Sequence, residues 1–235
     1  MSNGVSNISF PNSSSSSSSS AVTKVENLIK TLDQKCLYSC VIGISKIKDK
    51  YHNWNHNISH TALLLSSQKA NYLEKKEGEG TEGIILEYGK YPPDTEEEKK
   101  KEEDFVKRGY VIYRYGEKGG LRYYANSLEE FKKTFGDIGY ICLDIHVDNQ
   151  KSFSDILGKI APISENKWIK ANYNSIGLFG KKLNCQTFTA HALDILKPKY
   201  DSRFISKGKE ADSETIRNGE SIIPDDLLNT LRKYE

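Results

Sequence analysis

The sequence of 235 residues has few cysteines, no excess of charge and no long hydrophobic run. Its 34 basic and 32 acidic side chains give a net charge of +2, which argues against a protein that binds nucleic acids or membrane surfaces through a basic excess. No apolar segment approaches the roughly 20 residues that cross a bilayer, so we expect no transmembrane segment. The mean hydropathy of −0.62 favours a soluble protein.

A secretion signal is also missing from the first twenty residues, which contain no lysine, no arginine and no apolar stretch of about 7 residues. Four cysteines are too few to cross-link a chain of this length, so we expect reduced thiols. The cysteines are Cys36, Cys40, Cys142 and Cys185. Together these absences predict a cytoplasmic, intracellular protein.

Residues 1–21 form a serine-rich leader, with serine at every position from 13 to 20. Such a run buries too little apolar surface to offset the entropy lost on ordering, so we expect the leader to be disordered. One domain is predicted over 22–200, with a charged insertion at 94–104. A loop and a C-terminal helix, 201–235, are predicted to pack on the same domain.

Hydrophobic periodicity predicts four or five strands between two helical regions. Strands are predicted over 41–47, 60–65, 83–89, 109–115 with 121–125, and 138–147. Helices are predicted over 22–37, 127–135 and 185–196, and a terminal helix is predicted to begin at Pro224. The first of these helices would place Cys36 on its apolar stripe. Antiparallel strands with separate helices indicate the α+β class.

Cys185 is the leading candidate for a nucleophile because it begins a predicted helix. The N–H groups and positive end of a helix N-terminus stabilise a thiolate and lower the pKa of a cysteine from about 8.5 toward or below neutrality. The apolar positions 188, 192, 193 and 196 of this helix predict a buried face. The alternative is that Cys185 is only a small apolar residue at the end of a core helix.

A nucleophilic thiol needs a base, and the only histidine after Cys185 is His191 on the same helix. The two positions are separated by six residues. At about 100° per residue their side chains point in different directions, so His191 is not the predicted base. His60 begins a predicted strand after an asparagine-rich loop, which would place its imidazole at the edge of a sheet. His60 is therefore the candidate base.

Two segments carry a resemblance to a known family. The runs His60-Thr-Ala-Leu-Leu-Leu65 and Asn184-Cys-Gln-Thr-Phe188 resemble the histidine strand and the cysteine helix of the circularly permuted papain-fold thiol hydrolases, notably the PPPDE and LRAT branches of the NlpC-like superfamily. The resemblance covers about residues 56–198. It implies a permuted papain-like fold, in which the helix that carries Cys185 packs against an antiparallel sheet that carries His60.

The resemblance also implies a third polar residue that orients the histidine, and Glu87 on the following strand is similar to it in position. Strand alternation turns Leu86 and Tyr88 to the opposite face, so an outward-facing Glu87 carboxylate is the other interpretation. Gln186 and Thr187 stand where LRAT-type proteins have Glu-His after the cysteine. This difference argues against lipid acyl transfer.

The implied activity is that of a cysteine-dependent hydrolase that cleaves an amide or isopeptide bond through an acyl-enzyme. Cys185 would attack the carbonyl of a peptide, protein or acyl substrate, His60 would transfer the proton, and Glu87 would hold the imidazole. No metal or organic cofactor is expected. The alternatives are an acyltransferase or thioesterase of the same fold, and a non-enzymatic interaction module that retains the fold.

The cysteines and histidines near the N-terminus have almost the spacing of a zinc finger. Cys36 and Cys40 are followed by His52 and His56, but the cysteines end a predicted helix and the histidines lie among asparagines. A zinc finger needs a hairpin that carries the cysteines and a helix that carries the histidines, so this zinc site is not favoured.

Two further interpretations are weaker. Cys36 or Cys40 acting with His146 and Asp148 would place the thiol at the negative end of its helix, where its pKa rises. His146 itself is predicted to be a core or edge histidine. The tyrosines and arginines of 110–124 could stack on single-stranded nucleic acid, but the near-neutral charge favours a packed hairpin, so no nucleic-acid partner is expected.

Overall fold

The structure is a computed structural model that describes residues 27, 35–46, 59–70, 83–89, 96, 100, 111–114, 120–125, 128–160, 184–201, 205–207 and 222–235. The strands are β1 (Ser39–Ser45), β2 (His60–Ser66), β3 (Gly83–Gly89), β4 (Val111–Arg114), β5 (Gly120–Ala125), β6 (Gly139–Asp144) and β7 (Ile205–Lys207). The helices are α1 (Leu128–Phe135), α2 (Phe153–Ile160), α3 (Cys185–Leu196) and α4 (Asp225–Leu231). Short 3-10 turns cover Val147–Asn149 and Arg232–Tyr234.

The described strands form one antiparallel sheet in the order β4-β5-β3-β2-β1-β6-β7. Its centre is made by β3, β2, β1 and β6, which pair side by side. The pairing of β1 with β2 places Ser45 opposite His60, and the pairing of β2 with β3 places Ala62 opposite Glu87. An antiparallel sheet with separate helices confirms the predicted α+β class.

Both faces of the central sheet are apolar, because successive side chains point to opposite faces and nearly all of them are hydrophobic. One face packs against α2, α3 and α4; its strand residues include Ile42, Leu63, Leu65, Ile84, Leu86, Tyr88, Ile141 and Leu143. The other face packs against α1; its strand residues are Val41, Ala62, Leu64, Ile85 and Cys142. The described part of the chain therefore has three layers, with the sheet in the middle.

Helix α1 packs closely against the sheet at Gly43. A Cβ atom at this position would lie 2.6 Å from the carbonyl oxygen of Phe135 and 3.0 Å from the ring of Phe131. Any larger residue at position 43 would have to push α1 away from β1.

The ends of α3 are well defined by local hydrogen bonds. The Asn184 side chain accepts from the N–H of Thr187 at 3.0 Å, and the Thr187 hydroxyl accepts from the N–H of Asn184 at 3.0 Å. This reciprocal cap fixes Cys185 as the first residue of the helix. At the other end Lys197 adopts a left-handed conformation with φ of 47°, and Pro198 follows.

Several predicted elements agree with the structure. Strand β3 and helix α3 have the predicted bounds, β2 begins at His60, and β4 pairs with β5 as a hairpin. The predicted buried positions of α3 are confirmed, since Phe188, Ala192, Leu193 and Leu196 are at most 1% exposed. Helix α4 begins after Pro224 and buries Leu227 and Leu231 in the same core as α3, as predicted for the C-terminal helix.

Other predictions were wrong. The loop predicted over 201–221 contains β7, which pairs with β6 at the edge of the sheet and makes the strand count larger than four or five. Strands β1 and β6 end earlier than predicted, at Ser45 and Asp144. Residues 35–37 are not helical, and Cys36 is exposed while the adjacent Leu37 is fully buried. Helix α2 was not predicted.

Several predicted segments lie outside the described residues. These are the leader 1–21, most of the helix over 22–37, the loop with His52 and His56, and most of the charged insertion at 94–104. Within that insertion Glu96 and Lys100 are described, and both are helical and exposed. None of the helices in the described part of the chain is long and apolar enough to cross a membrane.

Candidate active site

The three predicted site residues come from three elements that meet where β2 begins. Cys185 is the first residue of α3, His60 is the first residue of β2, and Glu87 lies on the neighbouring strand β3. By alternation His60 and Glu87 fall on the face of the sheet that α1 covers, whereas α3 packs on the opposite face. Cys185 therefore reaches His60 at the end of the strand, where the sheet no longer separates the two layers.

Glu87 lies against the His60 imidazole. The distance from His60 Nε2 to Glu87 Oε1 is 2.8 Å, and only 19% and 6% of the two side chains are exposed. This is the separation of an ion pair, although the N–H is not aligned as in an ideal hydrogen bond. Glu87 is thus buried, and the outward-facing interpretation is wrong because this face of the sheet is covered as well.

Cys185 also acts on the His60 imidazole. Burial by itself lowers the pKa of His60, but the charge of Cys185, a hydrogen bond with Cys185 and the contact with Glu87 outweigh it. The net effect raises the pKa of His60 from 6.5 to about 10. The site therefore favours an imidazolium that interacts with both a sulfur and a carboxylate.

The residues on either side of His60 are both hydrogen-bonded to α3. The carbonyl oxygen of Ser59 accepts from Gln186 Nε2 at 3.0 Å and from Cys185 Sγ at 3.8 Å. The hydroxyl oxygens of Thr61 and Thr189 lie 3.1 Å apart, and the Thr189 hydroxyl donates to the carbonyl of Cys185 at 2.9 Å. Each of these groups is buried. Together they fix the first turn of α3 relative to the start of β2.

The sheet face that carries His60 is closed by α1. The ring of Phe135 lies 5.9 Å from the His60 ring, centroid to centroid, with the planes inclined by 43°. Phe135 is itself 5% exposed. This aromatic cover keeps water from one side of the imidazole, which strengthens its interaction with Glu87.

The remaining cysteines and histidines lie away from this site. Cys40 is buried in β1, where burial raises the pKa of its thiol well above the usual range, and Cys142 is buried in β6. Cys36 is exposed, and all four cysteines are free thiols. His146 lies just after β6 and is exposed, so the predicted core or edge histidine is a surface residue.

Metal binding has no support in the part of the chain that the structure describes. No group of three or more His, Cys, Asp or Glu side chains is placed there to hold a metal ion. His52 and His56 of the zinc-finger interpretation lie outside this part.

Sequence reasoning did not assign a site role to Ser59, Thr61, Gln186, Thr189 or Phe135. Gln186 and Thr61 were next to the predicted residues in the sequence, and Thr189 is one helical turn after Cys185. That spacing places Thr189 on the same helix face as Cys185, which is a usable signal. Phe135 gives no such signal, because only the folded chain places it beside residue 60.

Comparison of this chain with protein-family models, with curated proteins and with solved structures found no match.

Proposed function

We propose that the protein is a cysteine-dependent hydrolase that cleaves an amide or isopeptide bond through an acyl-enzyme at Cys185. The observation that carries this proposal is that one imidazole, His60, interacts both with a thiol at a helix N-terminus and with a buried carboxylate. A thiol, a base and a group that orients the base are the parts that nucleophilic catalysis requires. The permuted papain-like fold and the intracellular location belong to the same proposal.

The chemistry follows from these positions. The Cys185 thiolate attacks the substrate carbonyl carbon, and the N–H of Cys185 with a neighbouring donor at the start of α3 stabilises the oxyanion. The His60 imidazolium gives its proton to the leaving amine, which departs as the thioester forms. Neutral His60 then takes a proton from water, the hydroxide attacks the thioester, and the acid leaves as Cys185 regains its resting form. Glu87 keeps the imidazole in place, and no cofactor takes part.

The same acyl-enzyme supports a second candidate. An amine, thiol or alcohol in place of water would make the protein an acyltransferase, and a thioester substrate would make it a thioesterase. An interaction module that only retains the fold is the third possibility, and thiol reactivity separates it from the other two.

Alkylation at pH 6 tests the proposal. An ordinary cysteine is less than about 1% thiolate at this pH, so an unactivated thiol reacts slowly. We expect iodoacetamide to label Cys185 ahead of Cys36, Cys40 and Cys142, as measured by mass spectrometry over time. Cys36 is the most stringent comparison, because it is exposed to the reagent whereas Cys185 is only 2% exposed.

Two variants make the assignment specific. His60→Ala should slow the labelling of Cys185 at least about ten-fold, because the thiolate loses its counter-charge. His191→Ala should leave the rate unchanged, since the dyad does not include that ring. If Cys185 reacts no faster than Cys36, or reacts equally fast without His60, Cys185 is a structural residue and the interaction module replaces the enzyme.

A further inference from the structure

The carbonyl of Ser59 is bound by two neighbours on α3. It accepts from the Gln186 side-chain amide at 3.0 Å and from the Cys185 thiol at 3.8 Å. Gln186 is 2% exposed and Ser59 is 1% exposed, so bulk water does not weaken these contacts. A carbonyl oxygen has two lone pairs and can accept both bonds at once.

Ionisation of Cys185 changes this arrangement. When the thiol gives its proton to His60, the hydrogen bond from sulfur to the Ser59 oxygen is lost. A negative sulfur then faces the negative end of the carbonyl dipole at nearly the same distance, which is unfavourable in a buried site. The amide N–H of Gln186 binds the same oxygen, and its positive dipole offsets this repulsion.

We propose that Gln186 is a positioning residue that holds the Ser59 carbonyl and thereby favours the thiolate form of Cys185. The inference rests on the proposed function, because it concerns the ionisation of the same thiol. It assigns a role to the residue directly after the cysteine.

Among the residues that the structure describes, the ionisable groups that act on the His60 imidazole are Cys185 on α3 and Glu87 on β3. Helix α1 contributes the uncharged Phe135, and β1 contributes the uncharged Ser45 opposite His60. A change at Gln186 therefore alters the ionisation of Cys185 without altering another formal charge.

The test is the pH dependence of Cys185 alkylation by iodoacetamide, measured from pH 4 to pH 10. Gln186→Met keeps the length of the side chain and removes the amide. It should raise the midpoint of this pH dependence, the pH of half-maximal alkylation rate, by about one pH unit. Gln186→Glu places a carboxylate against the carbonyl and should raise the midpoint further. At any pH below the wild-type midpoint, a midpoint raised by one pH unit makes alkylation about ten-fold slower.

A control for a hydrogen bond lost elsewhere in the core is Thr230→Val on α4. The Thr230 hydroxyl donates to the Asp226 carbonyl at 3.0 Å and is largely buried, so its loss weakens a helix elsewhere in the core. This variant should lower the melting temperature and leave the alkylation midpoint unchanged. In the wild-type protein, the side-chain amide nitrogen resonance of Gln186 should also shift with the alkylation midpoint, which requires no variant to fold.

The outcomes separate the two proposals. A low wild-type midpoint that rises in Gln186→Met and Gln186→Glu, with a Gln186 resonance that follows it, supports the role of Gln186. The role of Gln186 is overturned if the wild-type midpoint is low but neither variant changes it. It is also overturned if the Gln186 resonance does not shift at that midpoint. Both outcomes leave the hydrolase proposal in place. An ordinary wild-type midpoint overturns the hydrolase proposal itself.

Discussion

At the scale of single residues, the molecule keeps three ionisable side chains in one nearly closed site. Removing a charged group from water is costly, and each group here is tolerated because a neighbour of opposite charge lies against it. His60 is the shared partner, since it contacts both Cys185 and Glu87. Loss of His60 would remove the imidazole that lies 2.8 Å from the buried Glu87 carboxylate, so this residue affects the local electrostatic balance.

Replacing Glu87 with glutamine should lower the pKa of His60 from its raised value of about 10. Glutamine keeps the shape of the side chain but removes the negative charge that favours the imidazolium. The titration of the His60 ring, followed by NMR with histidine labelling, measures the change. His146→Gln serves to assign the signal of the exposed histidine. A His60 midpoint that stays the same or rises would show that Glu87 does not act on the ring.

We also expect the difference in stability between the wild type and Glu87→Gln to depend on pH. Because the pKa of His60 is raised on folding, its protonation stabilises the folded state fully below 6.5, and this contribution is lost as the pH rises toward about 10. The gap in unfolding free energy between the wild type and Glu87→Gln should therefore shrink between these pH values. Urea titrations at several pH values measure it, and a gap that widens with pH would contradict the assignment.

At the scale of elements, the close approach of α1 to β1 depends on Gly43. Gly43→Ala should lower the unfolding free energy by about 1–3 kcal/mol, because the new Cβ would lie 2.6 Å from the Phe135 carbonyl oxygen. Gly158→Ala on α2 is the control, since a Cβ there meets nothing within 4 Å. This control should stabilise the protein by about 0.5–1 kcal/mol through helix propensity. Chemical denaturation of both variants measures the two changes in unfolding free energy, which should have opposite signs.

Most elements were predictable because their signals are local. A few adjacent residues determine each of the apolar runs of β2 and β3 and the capped start of α3. The structure agrees with these signals. Helix α2 carries a similar signal, with buried positions at Phe153, Ile156, Leu157 and Ile160 in helical spacing, so it could have been predicted. Strand β7 could not, because three residues become a strand only through pairing with β6.

The candidate site was likewise predictable only where its signals are local. Its members Cys185, His60 and Glu87 follow from motif and position, whereas the burial of Glu87 depends on α1 covering that face of the sheet. Alternation along β3 gave the correct face but not the fact that both faces are covered. The hydrogen bonds of Gln186 and Thr189 to residues beside His60 join positions more than 120 apart in the sequence, which no local pattern reveals.

At the scale of the whole molecule, β1 lies at the centre of the layered structure. Every residue of β1 is buried, and the strand pairs with β2 on one side and with β6 on the other. Its amide hydrogens should therefore exchange only through global unfolding, whereas those of the three-residue strand β7 at the sheet edge should exchange through local opening. Hydrogen exchange with mass spectrometry tests this order. Equal protection of β1 and β7 would contradict it.

The distance along the chain between His60 and Cys185 also has a consequence for biosynthesis. A ribosome releases β2 and β3, with His60 and Glu87, long before it reaches α3, and strands β1 to β6 all precede Cys185. Because domains assemble as the chain emerges, the His60 imidazole and the Glu87 carboxylate are made before the Cys185 thiol exists. A nascent chain therefore cannot complete the candidate site until nearly all of the sheet has been synthesised.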